Sequence, residues 1–286
     1  MICIECGYKG IDCLYSRYKS EYIKLTVCPK CNKIADKYIE YDSVILSLDI
    51  LLLKKQAYRH LSFNLIEQEI IYKSNKSKPD YSKLFRLFLL ILSLEVYLIW
   101  ANEEISSFHS KFINLILQKG IIFQYLFFII KLGLENIVLN ISLQLIIRNW
   151  YHWGTNNKDV NMNVKSNQLF AYKTIVLFLT VIVSGSIKLF PILMFIWPYD
   201  NLAIIKKFIN IIAFVNIVEA LKIVTNCQYL KIVFALALSM LIKNIISNVV
   251  LVALLRCFLS FDFKEIYMDV MHQFYIQLLD YLIIPL

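Results

Sequence analysis

The chain has 286 residues, of which 59% are hydrophobic and only 18% charged, with a formal net charge of +9. Ordinary soluble domains are about 45–50% apolar, so this composition excludes that class and points to several membrane spans. Six glycines and five prolines are too few for a turn-rich β architecture. The basic excess reads as lysines and arginines bordering apolar segments, so no nucleic acid is expected as a partner.

Residues 1–41 are mixed and polar and hold two C-x-x-C pairs, Cys3 with Cys6 and Cys28 with Cys31. No charged n-region, apolar h-region and small-residue cleavage site opens the chain. The N-terminus is therefore expected in a reducing compartment, where paired thiols read as metal ligands rather than disulfides. The spacing between the pairs fits a closed four-thiolate Zn²⁺ site, which leaves no open position for catalysis. Gly7 and Asn32 follow the pairs, and both residue types tolerate the positive φ that a metal knuckle needs. Cys13, Cys227 and Cys257 read as packed residues. The stretch "SEYIKLTV" alternates like a strand leading into the second pair.

Asp42 is placed to cap a helix over 43–61, "SVILSLDILLLKKQAYRHL". Its apolar half is too short to cross a bilayer. Two readings fit: an interfacial helix with Lys54, Lys55 and Arg59 at the headgroups, or a helix packed on the cysteine domain. The cluster of Tyr58, Arg59 and His60 reads as a helix end facing phosphates. A polar linker occupies 72–83 and separates the 42–71 segment from the spans.

Four spans are expected between residues 84 and 255: 84–100, 120–147, 174–197 and 229–255. The segment 204–224 carries Glu219 and Lys222 and fits either a fifth span or an interfacial helix. Glu95 should face other helices. Lys131 and Glu135 stand four apart on one helix face, which predicts an intramembrane pair, read first as a structural ion pair and second as part of a transport path. With Glu219 and Lys243 they form the set of intramembrane polar residues. The loop after residue 147 gathers Trp150, Tyr151 and Trp153, suited to an aromatic belt. Gly185 offers close packing and Pro191 a kink. The tail at 256–286 has amphipathic character. Residues 1–83 hold 14 Lys and Arg against two in 102–119, which predicts a cytosolic N-terminus.

The expected fold is thus a small N-terminal Cys₄ zinc-ribbon-like domain joined to an α-helical multi-pass membrane domain. No Walker loop, G-x-S-x-G, G-x-G-x-x-G or H-E-x-x-H is present, so an enzyme is not expected.

"CIEC", "CPKC", "DKYIEYD" and "QAYRHLSFN" occur in this order within the first 64 residues. This resembles the Arv family of endoplasmic-reticulum lipid-homeostasis proteins, whose N-terminal region carries the cysteine clamp, a Y-I-E-Y-D-like box and an A-Y-R-H-L-L-F-N-like box. Tyr38, Glu40, Tyr41, Asp42, Tyr58, Arg59 and His60 fall in those boxes. Ser62 stands where the family box carries an apolar residue. The resemblance implies a role in sterol distribution between membranes, with links to sphingolipid balance and glycosylphosphatidylinositol assembly. Membrane lipids (sterol, sphingolipid, glycolipid) are the implied partners. Two roles compete: a lipid transporter, and a non-catalytic scaffold that binds glycolipid-assembly enzymes.

Overall fold

The computed structural model describes residues 1–18, 22–66, 82–105, 111–153, 166–195 and 202–259. Most of the expected 72–83 linker and the tail beyond residue 259 lie outside the described residues. Two compact units divide the chain: Met1–Phe88 with Gln144–Ala235, and Leu89–Leu143 with Leu236–Leu286.

The first unit begins with two knuckles of the same design. In each, the amide four residues after the first cysteine bonds back to that cysteine's carbonyl: Gly7 to Cys3 and Asn32 to Cys28, both at 3.0 Å. Gly7 has φ +73° and Asn32 φ +56°, the left-handed turn that glycine and asparagine accept at low cost. Between the knuckles, β1 (Tyr15–Arg17) pairs antiparallel with β2 (Ile23–Leu25), and Ser16 stands opposite Lys24. The expected strand is thus one half of a short ribbon. Cys3, Ile11, Leu14, Cys28 and Ala35 form a core beneath it. Cys13 is exposed, which corrects its reading as a packed residue.

The expected single helix over 43–61 is broken. Helix α1 covers Ser43–Leu51 and α2 Lys55–Arg59, followed by π-helical turns over His60–Leu65. Asp42 holds the N-cap position of α1, although its side chain makes no cap bond. The break is a Schellman turn: Lys54 N–H bonds to Asp49 O and Leu53 N–H to Ile50 O, both at 3.0 Å. Leu53 takes the left-handed position at φ +55°, which glycine usually fills. The Asp49 side chain pins the turn from both sides. It accepts from Lys54 Nζ at 2.6 Å and from the Tyr38 hydroxyl at 2.7 Å.

Five described helices are long and apolar enough to cross a membrane: Leu84–Glu104, Ile121–Asn149, Phe170–Ile192, Lys207–Thr225 and Tyr229–Val250. They belong to α3 (Ser82–Ile105), α5 (Ile121–Asn149), α6 (Ser166–Gly185), α7 (Leu202–Thr225) and α8 (Tyr229–Leu259), with the short α4 at Lys111–Leu117. The ambiguous 204–224 segment is therefore a helix of spanning length, and the protein is multi-pass. Pro191 has no N–H for the carbonyl four residues back, and after Gly185 the backbone tightens into a 3₁₀ helix over Ser186–Phe195.

In the first unit, α6 and α7 run antiparallel. Tyr172, Val176 and Leu179 pack with Val224 at one level, and Gly185 lies near Ile217 at another. A Cβ added at Gly185 would sit 3.9 Å from Ile217 Cδ1, an ordinary contact, so the expected close approach does not depend on this glycine. Fully buried Ala213 and Ala220 supply the small side chains on α7. Asn226, at φ +56°, turns the chain from α7 into α8. Beyond α5, Trp150 stacks on Phe234, and the Tyr151 hydroxyl donates to Lys231 O. Trp153 packs into the α6–α7 core. In the second unit, Gln124 accepts from Trp100 Nε1 at 2.7 Å and donates to Leu117 O and Lys119 O. A buried amide thereby fastens the turn between α4 and α5.

Candidate metal centre and the buried latch beneath it

The ligand atoms of Cys3, Cys6, Cys28 and Cys31 all lie within 4.8 Å of one another. Cys3 Sγ is 3.8 Å from Cys31 Sγ and Cys6 Sγ is 3.7 Å from Cys28 Sγ. A tetrahedral ion held by thiolates at about 2.3 Å requires sulfurs about 3.8 Å apart, so the donor set fits a closed four-thiolate metal site. Knuckle amides face the sulfurs: those of Cys6 and Glu5 point to Cys3, those of Cys31 and Lys30 to Cys28. Burial pushes the Cys3 thiol up to about 12. At Cys28 burial also disfavours the thiolate, but the two amides and neighbouring thiols outweigh it and bring the group down to about 7. Thiols this close cannot all ionise without a cation among them, which is the condition a divalent ion would meet. Cys13 lies outside the cluster.

Beneath the knuckles the two sequence boxes meet in a buried polar network. Asp36 is fully buried and accepts three hydrogen bonds. Tyr38 N–H reaches Oδ1 at 3.1 Å, while Asn64 Nδ2 and His60 Nδ1 each reach Oδ2 at 2.7 Å. A carboxylate only accepts, so His60 carries its proton on Nδ1. Asn64 also pairs with both backbone groups of Ile2, accepting from its N–H at 2.9 Å and donating to its C=O at 3.0 Å. Arg59 Nη1 donates to the carbonyls of Ile4 and Glu5 at 2.9 and 2.8 Å, and its guanidinium lies over Gly7. The A-Y-R-H box therefore grips the first knuckle from below.

Tyr58 is buried at 1% exposure, and that burial pushes its phenol up to about 12. Burial, then the bond to Asp49, lifts the Tyr38 phenol above its ordinary range. The bonds from Lys54 and Tyr38 hold Asp49 below the usual carboxylate range. Tyr41 is exposed and meets the Tyr38 ring edge-on at 5.6 Å, while Glu40 and Asp42 are exposed. Thus Tyr58, Arg59 and His60 turn inward and do not form a phosphate-facing helix end. Arg59 is committed to backbone carbonyls by geometry that spacing alone could not reveal. Asp36, Asn64 and Asp49 carry the network, and sequence reasoning did not single them out. Asp36 and Asn64 were marked as an acidic and an amide residue inside a recognised box, whereas Asp49, midway between the boxes, carried no such signal.

The latch continues onto the membrane helices. Ile4, Tyr38, Ile50, Ala57 and Tyr58 share one core with Ala220 of α7, flanked by Val183 of α6 and Ile223. Ser62 Oγ lies 3.3 Å from Thr180 Oγ1. Thr180 gives its own proton to Val176 O at 2.7 Å, so Ser62 is the donor. The residue that departs from the family box is thus a polar tie to α6.

Among the intramembrane polar residues, Glu135 pairs with Lys243 at 3.5 Å rather than with Lys131. Both are about a quarter exposed, and Ser247 Oγ donates to Glu135 from the same face of α8. This corrects the expected Lys131–Glu135 pair. A lysine N-terminal to its glutamate is the weaker order within one helix, and a facing helix supplies the partner instead. Lys131 stays half-buried on α5. Glu219 accepts from the Tyr229 hydroxyl at 2.8 Å, and Lys222 stacks on that ring. The pair closes the α7–α8 turn.

The model of the Arv1-like family matches residues 2–221. The chain is 57% identical to Protein ARV1 of Candida albicans over 99% of both chains. It is 32% identical to Protein ARV1 of Saccharomyces cerevisiae, over 98% of this chain and 97% of that one. Protein ARV1 of Homo sapiens is 48% identical over 62 residues, 22% of each chain. No solved structure matches.

Proposed function

The chain belongs to the Arv1-like family, and on that premise we propose that it mediates sterol distribution from the endoplasmic-reticulum membrane without catalysing a reaction. Its multi-pass helical architecture supports a role in membrane lipid homeostasis; the choice of sterol, and the effect on sphingolipid and glycosylphosphatidylinositol precursors, are the finer part of the proposal. The metal is Zn²⁺, held by Cys3, Cys6, Cys28 and Cys31. Four protein ligands leave it no open position, so it folds the module and activates no water. The N-terminus faces the cytosol.

The observation that carries the transport reading is the Glu135–Lys243 pair. Glu135 sits near the middle of α5, and the pair remains partly exposed within helices of spanning length. Charges kept at that depth mark polar paths more often than packing, and a lipid headgroup is the polar cargo of a lipid mover. The test is reconstitution of the full chain into liposomes, scored for sterol and glycolipid translocation. Transfer above empty vesicles, reduced in Glu135→Gln, supports the reading; transfer equal to empty vesicles overturns it.

A scaffold role rests on a different surface. Tyr22, Val27 and Ile34 are exposed on the metal module, away from the latch. If glycolipid-assembly enzymes dock there, Val27→Asp should abolish their co-purification while metal content is unchanged.

A further inference from the structure

Helix α1 presents an aliphatic surface that none of the described residues of its own unit covers. Val44, Ile45, Leu48, Leu51 and Leu52 are all exposed, Val44 at 61% and Leu48 at 54%. Asp49 and Ile50 supply the buried side. The opposite side of the module's helical segment is fixed to α6 and α7, and the level of that attachment is informative. Thr180, which meets Ser62, is ten residues into the apolar Phe170–Ile192 stretch. It is therefore about 15 Å or more from either end of that stretch. Val183, three residues further, shares a core with Ile50 and Leu53. A module attached at that level cannot stand clear above the headgroups while α6 crosses the bilayer.

We propose that α1 is an in-plane anchor whose Val44, Ile45, Leu48, Leu51 and Leu52 side chains sit among the acyl chains of the adjacent leaflet. The proposal rests on the multi-pass reading and adds that the metal module is itself seated in the membrane. Nine residues rise only about 14 Å, too short to cross the bilayer, and the exposed stripe from Val44 to Leu52 runs the full length of α1, as a helix lying along the leaflet requires. Of the three basic residues that could meet anionic headgroups, Lys55 alone is exposed with its charge left to solvent. Lys54 is engaged by Asp49 at 2.6 Å, and Arg59 is turned onto the carbonyls of Ile4 and Glu5. Insertion is driven by the aliphatic surface and should not require acidic lipid.

The test uses the full chain in phosphatidylcholine vesicles, with and without phosphatidylserine, carrying p-benzoylphenylalanine at one position. Leu48 and Val44 are the test sites. Phe208, exposed on α7 at 62%, is the lipid-facing control, and Tyr22, exposed at 77% on the metal module, is the aqueous control. On illumination, lipid adducts at Leu48 and Val44 should come within about 3-fold of Phe208 and exceed Tyr22 by about 10-fold, in both lipid mixtures. Using two test sites guards against one substitution disturbing the fold, and metal content checks each. Adducts at the Tyr22 level, a yield that depends on phosphatidylserine, or cross-links to a second copy of the chain would each overturn the proposal while Phe208 still labels lipid. A Phe208 yield at the Tyr22 level would instead overturn the multi-pass reading, and the anchor with it.

Discussion

Asn64→Ala is the sharpest single perturbation of the latch. Asn64 is 1% exposed and makes three bonds, to the Ile2 N–H, the Ile2 C=O and Asp36 Oδ2. Truncation leaves both Ile2 backbone groups and one carboxylate oxygen short of a partner in a buried site. An unsatisfied buried group costs about 1–3 kcal/mol, and more where a charge is involved. With partial relaxation the loss comes to about 3–6 kcal/mol, a large share of the 5–15 kcal/mol that holds a typical domain. At about 1.4 kcal/mol per decade, the open fraction of the module should rise about 100- to 10,000-fold. The assay is the rate at which the full chain surrenders its metal to a chromophoric chelator, alongside limited proteolysis between residues 1 and 66. Asn64→Asp should do at least as much harm, since it sets a second carboxylate against Asp36. Tyr22→Ser, on the exposed side of the module, should change nothing. Metal release from Asn64→Ala within about 3-fold of the wild type would refute the claim that this amide joins the boxes.

Metal analysis of the full chain should give about one Zn²⁺ per chain, and Cys28→Ser should abolish it, because three thiolates and a hydroxyl make a poor site. In abundance assays, Glu135→Gln should lower the level of the protein, and adding Lys243→Met should partly restore it, whereas adding Lys131→Met should not; equal rescue by both would reject the pairing. Asp49 has a depressed folded-state pKa, so its stabilisation is present above its ordinary value near 4 and is lost as pH falls through the folded value. The stability gap between wild type and Asp49→Asn should therefore narrow below about pH 4, as read by denaturant unfolding at several pH values. An epitope at residue 1 should be digested by protease added to intact microsomes, and its protection would reverse the assigned orientation.

The four-cysteine cluster was legible because its chemistry is local. Two-residue spacing forces each pair of sulfurs together, and Gly7 and Asn32 announce the turns. Four of the long apolar helices were legible for the same reason, whereas Glu219 and Lys222 left α7 open between a span and an interfacial helix. The break at Leu53 was not legible, because a leucine in the left-handed region carries no sequence mark. It is held there by Asp49, Lys54 and Tyr38, which are only brought together by folding. The latch was half visible: its boxes were recognised, but their direction was not. Arg59 and His60 look equally suited to phosphate or to an interior, and only Asp36 and the Ile4 and Glu5 carbonyls decide between them. The Glu135 partner illustrates the same limit, since helical spacing finds neighbours on one helix and is silent about the next.

The tie between Ser62 and Thr180 spans 118 residues of chain. At about 5–20 residues per second, synthesis takes about 6–24 s to deliver Thr180 after Ser62 has been made. The Ala220 contact with the Tyr58 core comes later still. During that interval the knuckles can close, since all four cysteines precede residue 32, and the Asp36 cluster can form, since its partners all precede residue 65, but Tyr58 and Ile66 have no finished surface to lie against. A newborn N-terminal segment can thus gather its four cysteines before it is docked. Chain-length-dependent protease protection on stalled ribosomes should show two steps, the first metal-dependent and the second waiting for α7.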